Sequence, residues 1–201
     1  MELVLIRHAL PVRRELEGGA ADPELSDVGH LQASLVAAHL GEEAIDALYV
    51  SPLRRARETA APIAETIGLD AVVVDGVAEF DRNASFYIPL EEAMADPTLD
   101  WRKMWGADDD HSDFRAVVVD AIEGLIERHA GHRIAVVCHG GVINMYLGHV
   151  LGTPARMDIF TPFYTSINRV MASRRGHRQV HSVNEVSHLR GTELLNWSPL
   201  K

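Results

Sequence analysis

Three short apolar runs, ELVLIR at 2–7, DALYV at 46–50 and RIAVVC at 133–138, each stop abruptly at polar or charged residues. Runs of this length, apolar at nearly every position and leaning towards β-branched residues, are strands buried on both faces. Each is followed by a stretch with helical spacing. A strand buried on both faces needs helices on both sides, and strand–helix alternation supplies them. The chain is therefore expected to be an α/β protein, a three-layer α/β/α sandwich with a largely parallel central sheet. Ligands of such sheets bind beyond the carboxyl ends of the strands.

The other elements fit this plan. Ser26 is placed to cap a helix that has Asp27 in its first turn, Gly41 just past its end, and a core face of Val28, Leu31, Leu35 and Ala38. Ser51 looks like an N-cap and Pro52 like the first residue of a second helix, expected to bend or break near Pro62. AVVV at 71–74 is a further strand. Residues 112–129 form an amphipathic helix on Phe114, Val118, Ala121 and Leu125, and another helix runs from after His139 to Leu151, stopped by Gly152. Residues 166–173 and 178–183 form a closing pair of strands. With 201 residues, 47% of them hydrophobic, the chain has enough material for one domain, 1–201. Residues 81–111 hold Pro89, Pro97, Trp101, Trp105 and the acidic run Asp108–Asp110, and read as an insertion over one end of the sheet that shapes specificity.

The strand ends carry the functional signal. The first gives Arg7-His8, the second opens SPLRRARET with Arg54, Arg55 and Arg57, and the third ends in His139-Gly140-Gly141. If these strands are neighbours, the groups converge on one pocket. A helix start carries partial positive charge, so arginines there suggest an anion between them; the alternative is a solvated face eased by Glu58. The glycines after His139 would let backbone N–H groups approach an anion. Two consecutive polar residues closing a buried strand are costly to leave unpaired. Guanidinium forks match phosphate oxygens, and a histidine held among them can attack phosphorus.

The formal net charge of −10 shows that this positive charge is local, and it argues against nonspecific nucleic-acid or membrane binding. The single cysteine, Cys138, excludes a disulfide framework and fits a reducing cytoplasm. No signal peptide is read at the N-terminus, and no apolar run is long enough to span a membrane.

Four motifs in order resemble those of the histidine phosphatase superfamily, in its phosphoglycerate mutase-like branch: LIRHA at 5–9, LSDVGHLQA at 25–33, SPLRRARETA at 51–60 and VVCHGGVI at 136–143. The resemblance implies the phosphoglycerate mutase-like fold and a phosphomonoester hydrolase acting on a small phosphorylated metabolite. It implies that His8 becomes phosphohistidine and that Arg7, Arg55 and His139 bind the phosphoryl oxygens, with Gly140 beside them. The motif's arginine position selects Arg55 over Arg54. The general acid is implied to be Glu79 in GVAEFD, with Asp81 as its rival. No metal or other cofactor is expected. A small phosphorylated molecule is the expected partner; a homodimer is left open.

The chain also departs from the family pattern. Ala9 replaces the glycine after the catalytic histidine, and Leu10, Pro11, Val12, Arg13, Arg14 stand where mutases carry polar residues. This disfavours mutase chemistry and leaves Arg14, or Arg13, as a contact for a charged substrate. Phosphoglycerate mutase-type transfer stays as an alternative, and a non-catalytic phosphate-binding module as another. A cysteine phosphatase would need an arginine shortly beyond Cys138, where Asn144 stands, and no metal-ligand spacing or GxxxxGK[ST] loop occurs.

Overall fold

The computed structural model of the chain describes residues 1–104, 106 and 109–195. Its centre is a six-stranded sheet in the order β4-β3-β6-β1-β7-β8. The strands are β1 (Glu2–Arg7), β3 (Ala47–Val50), β4 (Ala71–Val73), β6 (Arg133–Cys138), β7 (Ile167–Ala172) and β8 (Arg178–Glu185). β4, β3, β6 and β1 are parallel; β7 runs antiparallel to β1, and β8 antiparallel to β7. The expected sandwich follows from the alternation of side chains along the central strands. Leu3 and Leu5 of β1, with Ile134 and Val136 of β6, pack against α5 (Ser112–Arg128) and α6 (Gly140–Leu151). Val4 and Ile6, with Ala135 and Val137, pack against α1 (Asp27–Leu40) and α2 (Arg54–Ile67). No helix among the described residues is long and apolar enough to cross a membrane.

Ser26 caps α1 as expected, its hydroxyl accepting from the Gly29 N–H. The buried face of α1 differs from the sequence reading. Gly29, Gln32, Ala33, Val36, Ala37 and Leu40 face inward, while Val28 and Leu31 are 38% and 57% exposed. The reason is a close approach. A side chain at Gly29 would collide with the Leu10 carbonyl, and the Gln32 amide oxygen accepts from the Leu10 N–H at 3.0 Å. Small residues therefore sit where Leu10 crosses and Val28 and Leu31 are turned out, while Val36 and Leu40 further along stay in the core.

α2 also departs from expectation. It starts at Arg54, with Leu53 at the N-cap and no side-chain cap, because the Ser51 hydroxyl is used elsewhere. It runs through Pro62 to Ile67 without breaking. Ala56, Ala60 and Ile63 all pack on the sheet, so burial on both sides of the proline outweighs the lost backbone hydrogen bond.

The 81–111 segment lies over the carboxyl end of the sheet. β5 (Phe86–Tyr87) pairs antiparallel with β2 (Arg14–Glu15), and two short helices follow, α3 (Leu90–Ala95) and α4 (Trp101–Met104). Trp105 and Asp108 lie outside the described residues.

Candidate active site

The parallel register brings the strand ends level. Arg7 pairs with Cys138, and Val50 with Val137, so His8, Ser51 and His139 leave three adjacent strands side by side. The backbone is pinned there: the His8 N–H donates to Cys138 O at 2.9 Å and the Arg7 N–H to Ser166 O at 3.1 Å. The rings of His8 and His139 lie 5.0 Å apart. Arg7, His8, Arg55, Glu79, Asp81, Gly140 and Gly141 line one cavity of about 260 Å³, and His139 is buried beside His8.

Both arginines are buried, and each is carried on an aromatic face. The Arg7 guanidinium lies 3.9 Å from the Tyr164 ring centroid and that of Arg55 4.7 Å from Tyr87. Arg7 Nη1 donates to Pro162 O at 2.7 Å, and Arg55 Nη2 reaches Asp81 at 3.4 Å. The Nε atoms of both, and His139 Nδ1, are buried without a hydrogen-bond partner among the described residues. Buried donors left open at one place are what an anion would satisfy.

The tautomers follow from the partners. His8 Nδ1 lies 2.7 Å from Ala9 O; a carbonyl can only accept, so Nδ1 carries the proton and Nε2 keeps its lone pair. Burial first, then the charges of Arg55 and Arg7, hold His8 well below the usual histidine range, so the ring is neutral. His139 Nε2 lies 2.7 Å from Ser51 Oγ, and that oxygen already accepts from the Leu53 N–H at 3.3 Å. Among the described residues the Ser51 hydroxyl hydrogen has no other acceptor, so it is assigned to Nε2, which leaves the proton of neutral His139 on the open Nδ1. Reading Ser51 as a helix cap missed this; its place at the end of β3, level with His139, was the available signal.

Glu79 follows the short turn Asp75–Val77 that packs on α5. Its Oε2 accepts from the Gly141 N–H at 2.9 Å, and Oε1 from the Phe80 N–H at 3.2 Å. A side chain at position 141 would displace this carboxyl group and the Met157 methyl, so glycine is what lets Glu79 sit on the helix start. At Gly141 the N–H group read from the sequence as anion-binding is thus taken by Glu79. Burial, and then the neighbouring charge of Asp81, push Glu79 up to about 7. Asp81 is raised too, by burial, against the opposing pull of Arg55.

Arg14 does not reach the cavity. It is absent from the residues that line the cavity, and its guanidinium is bound to Glu24 at 2.7 Å. Arg13 pairs with Glu15 at 2.6 Å. Arg54 is likewise exposed, bound to Glu58 and Glu24, so Arg55 alone of the helix-start arginines enters the site. The Cys138 thiol is in the core and pushed up by burial, which removes it as a nucleophile. Ala9 is fully buried against Leu25 and Ala33, so a methyl group is accommodated where the family has glycine.

A family model for the histidine phosphatase superfamily, branch 1, matches residues 3–186. The chain belongs to the histidine phosphatase superfamily. It is a phosphomonoesterase of the histidine phosphatase type. Phosphoserine phosphatase 1 of Hydrogenobacter thermophilus is 34% identical over 152 residues, covering 69% of this chain and 71% of that protein. A Yersinia enterocolitica protein named as a probable phosphoglycerate mutase is 26% identical over 170 residues, 79% of this chain and 78% of its own. The crystal structure of Entamoeba histolytica phosphoserine phosphatase with 3-phosphoglyceric acid superposes with a TM-score of 0.73 at 25% identity, covering 94% of this chain and 98% of that one. The fold expected from the sequence, phosphoglycerate mutase-like, is the fold observed.

Proposed function

We propose that this histidine phosphatase hydrolyses small phosphomonoesters through a phosphohistidine on His8. The observation that carries this is a neutral His8, its Nε2 lone pair free, between two buried guanidinium groups and within one cavity with a carboxyl group pushed up to about 7. His8 Nε2 attacks phosphorus and the bond to the ester oxygen breaks. Arg7, Arg55 and the His139 Nδ1–H stabilise the charge on the phosphoryl oxygens. Protonated Glu79 gives its proton to the leaving oxygen, so a neutral alcohol departs. Water then attacks the phosphohistidine, its proton passes to the Glu79 carboxylate, the N–P bond breaks and inorganic phosphate leaves. These cations already supply the positive charge a metal ion would bring. Glu79 is preferred to Asp81 as the acid because Asp81 faces Arg55 at 3.4 Å, which favours its charged form.

Hydrolysis is favoured over mutase transfer by the loop after His8. A mutase must hold a second anionic group while the phosphoryl group waits. Here Arg13 and Arg14 are bound to glutamates, and Leu10 to Val12 offer no charged side chain. Phosphomonoesters should therefore release phosphate in the presence of EDTA, with little interconversion of the phosphoglycerate isomers. Interconversion much faster than release, dependent on added bisphosphoglycerate, would overturn the reading, as would activity that EDTA abolishes and a divalent ion restores.

Ser51 is assigned a positioning role through the His139 tautomer. Replacing Ser51 by alanine should weaken inhibition by inorganic phosphate about tenfold, the worth of one charge-assisted hydrogen bond. The thermal midpoint should fall by several degrees at most, the cost of leaving the Leu53 N–H and His139 Nε2 without that partner. Unchanged phosphate inhibition would assign Ser51 to packing alone.

A further inference from the structure

Beyond Arg7 and Arg55 the cavity wall changes character. Ile88, Leu90, Met94 and Trp101 from the segment over the sheet, with Met157 and Phe160 from the loop after α6, make it mostly apolar. Among the described lining residues the cations are Arg7, Arg55 and Arg102. Arg102 is already engaged, with Nη2 3.3 Å from Asp158 and its guanidinium 5.5 Å from the Trp101 centroid. The other titratable side chains that line the cavity besides His8 and the tyrosine are carboxylic: Glu79, Asp81 and Asp158, the last bound by Arg156 at 2.9 Å. Asn144 is satisfied by the backbone, its amide donating to Gly140 O and Phe160 O and accepting from the Phe160 N–H.

We propose that the alcohol half of the substrate is uncharged and apolar, by preference aromatic, and that phosphorylated carboxylic acids are poor substrates. This rests on the phosphatase reading above. With the phosphoryl group on Arg7 and Arg55, a second anion on the substrate loses its water against apolar side chains, and among the described lining residues the remaining cation, Arg102, is engaged with Asp158. An ammonium group could approach Asp158, but the carboxylate of an amino acid ester would still be unpaired. An aromatic ring instead meets flat and flexible partners in Trp101, Phe160 and the two methionines, which favour offset and sulfur–ring contacts. The acidic chain as a whole adds repulsion against a polyanionic ester.

The test compares kcat/KM for benzyl phosphate, ethyl phosphate, phosphoserine and phosphoglycerate on the full chain. All four release alkyl alcohols, so the ratios read the wall more than the leaving-group chemistry. Benzyl phosphate should exceed both carboxylic acids by about 100-fold, the scale of an unpaired, desolvated charge. Trp101→Ala should lower the benzyl-to-ethyl ratio about tenfold while inhibition by inorganic phosphate is unchanged. Met94→Ala provides the same reading at a second point on the wall should the tryptophan variant fail to fold. Phosphoserine or phosphoglycerate turned over as well as benzyl phosphate would overturn the proposal, as would a benzyl-to-ethyl ratio that neither variant moves. Failure of the phosphatase reading looks different: no ester, benzyl phosphate included, would release phosphate.

Discussion

Replacing His8 by alanine should reduce phosphate release by at least about 1,000-fold, because attack on phosphorus loses its nucleophile while binding by the arginines survives. His8 is buried, with its Nδ1–H bonded to Ala9 O, so the substitution also removes packing. The expected stability cost is about 1–3 kcal/mol, within what a folded domain tolerates. Circular dichroism should therefore show a native fold in the inactive variant. Rapid quench of the wild type with labelled substrate should trap a phosphoryl group that is labile in acid and stable in base, the signature of a nitrogen–phosphorus bond. Label on Cys138, or full activity in the alanine variant, would show that the nucleophile is another group. Nothing in the geometry favours Cys138, whose thiol is buried and pushed towards its protonated form.

A second large effect is expected at Glu79. The carboxyl group must be protonated when the ester bond breaks, and burial with Asp81 nearby holds it up to about 7. His8 must be neutral, and it is held well below the usual histidine range. The active protonation state, neutral His8 with protonated Glu79, is therefore populated in mildly acidic solution. Above about 7 the acid is lost, and kcat/KM should fall about tenfold per pH unit. Glu79→Gln keeps the shape and the contact with the Gly141 N–H but cannot donate the proton as an acid. It should lower turnover of alkyl phosphates about 100-fold or more and flatten the fall at high pH. Nitrophenyl phosphate, whose leaving group needs little protonation, should be hurt much less in this first step. A high-pH limb that survives in Glu79→Gln, and disappears in Asp81→Asn, would move the general acid to Asp81.

Much of the site was legible because strand ends are local features. The apolar runs at 2–7 and 133–138 stop where the sheet stops, so Arg7, His8 and His139 were marked by the place at which burial gives way to polarity. Their convergence needed only that β1 and β6 be neighbours, which the register bears out. Arg54, Arg55 and Arg57 could not be separated on physical grounds from the sequence, since all three open the same helix. Which of them turns inward is set by the phase of α2 on the sheet, and Glu24 and Glu58 then hold the Arg54 guanidinium outside.

Period was readable where phase was not. The helical spacing of α1 was right, but the first half of its inner face is Gly29, Gln32 and Ala33, whose hydropathy says little. Only the passage of Leu10 across Gly29 decides it. The same holds for the tyrosines. Tyr87 and Tyr164 lie 77 residues apart in sequence, yet they carry Arg55 and Arg7, and each was ordinary in its own local context.

Legible in the chain before any folding were the layered α/β architecture, the strands whose ends meet, and the histidines and arginines at those ends. Those properties follow from hydrophobic period and from residue type, both of which are local; Glu79 came only from the family resemblance. The tertiary structure alone decided which atoms are free to act. It assigned the Ser51 hydroxyl to His139 instead of a helix cap, held Glu79 against Gly141, neutralised Arg14 with Glu24, and lined the space beyond the phosphoryl pocket with apolar side chains. Each of these depends on which polar group finds which partner across the fold. Partners brought together from distant parts of the chain leave no periodic trace in it.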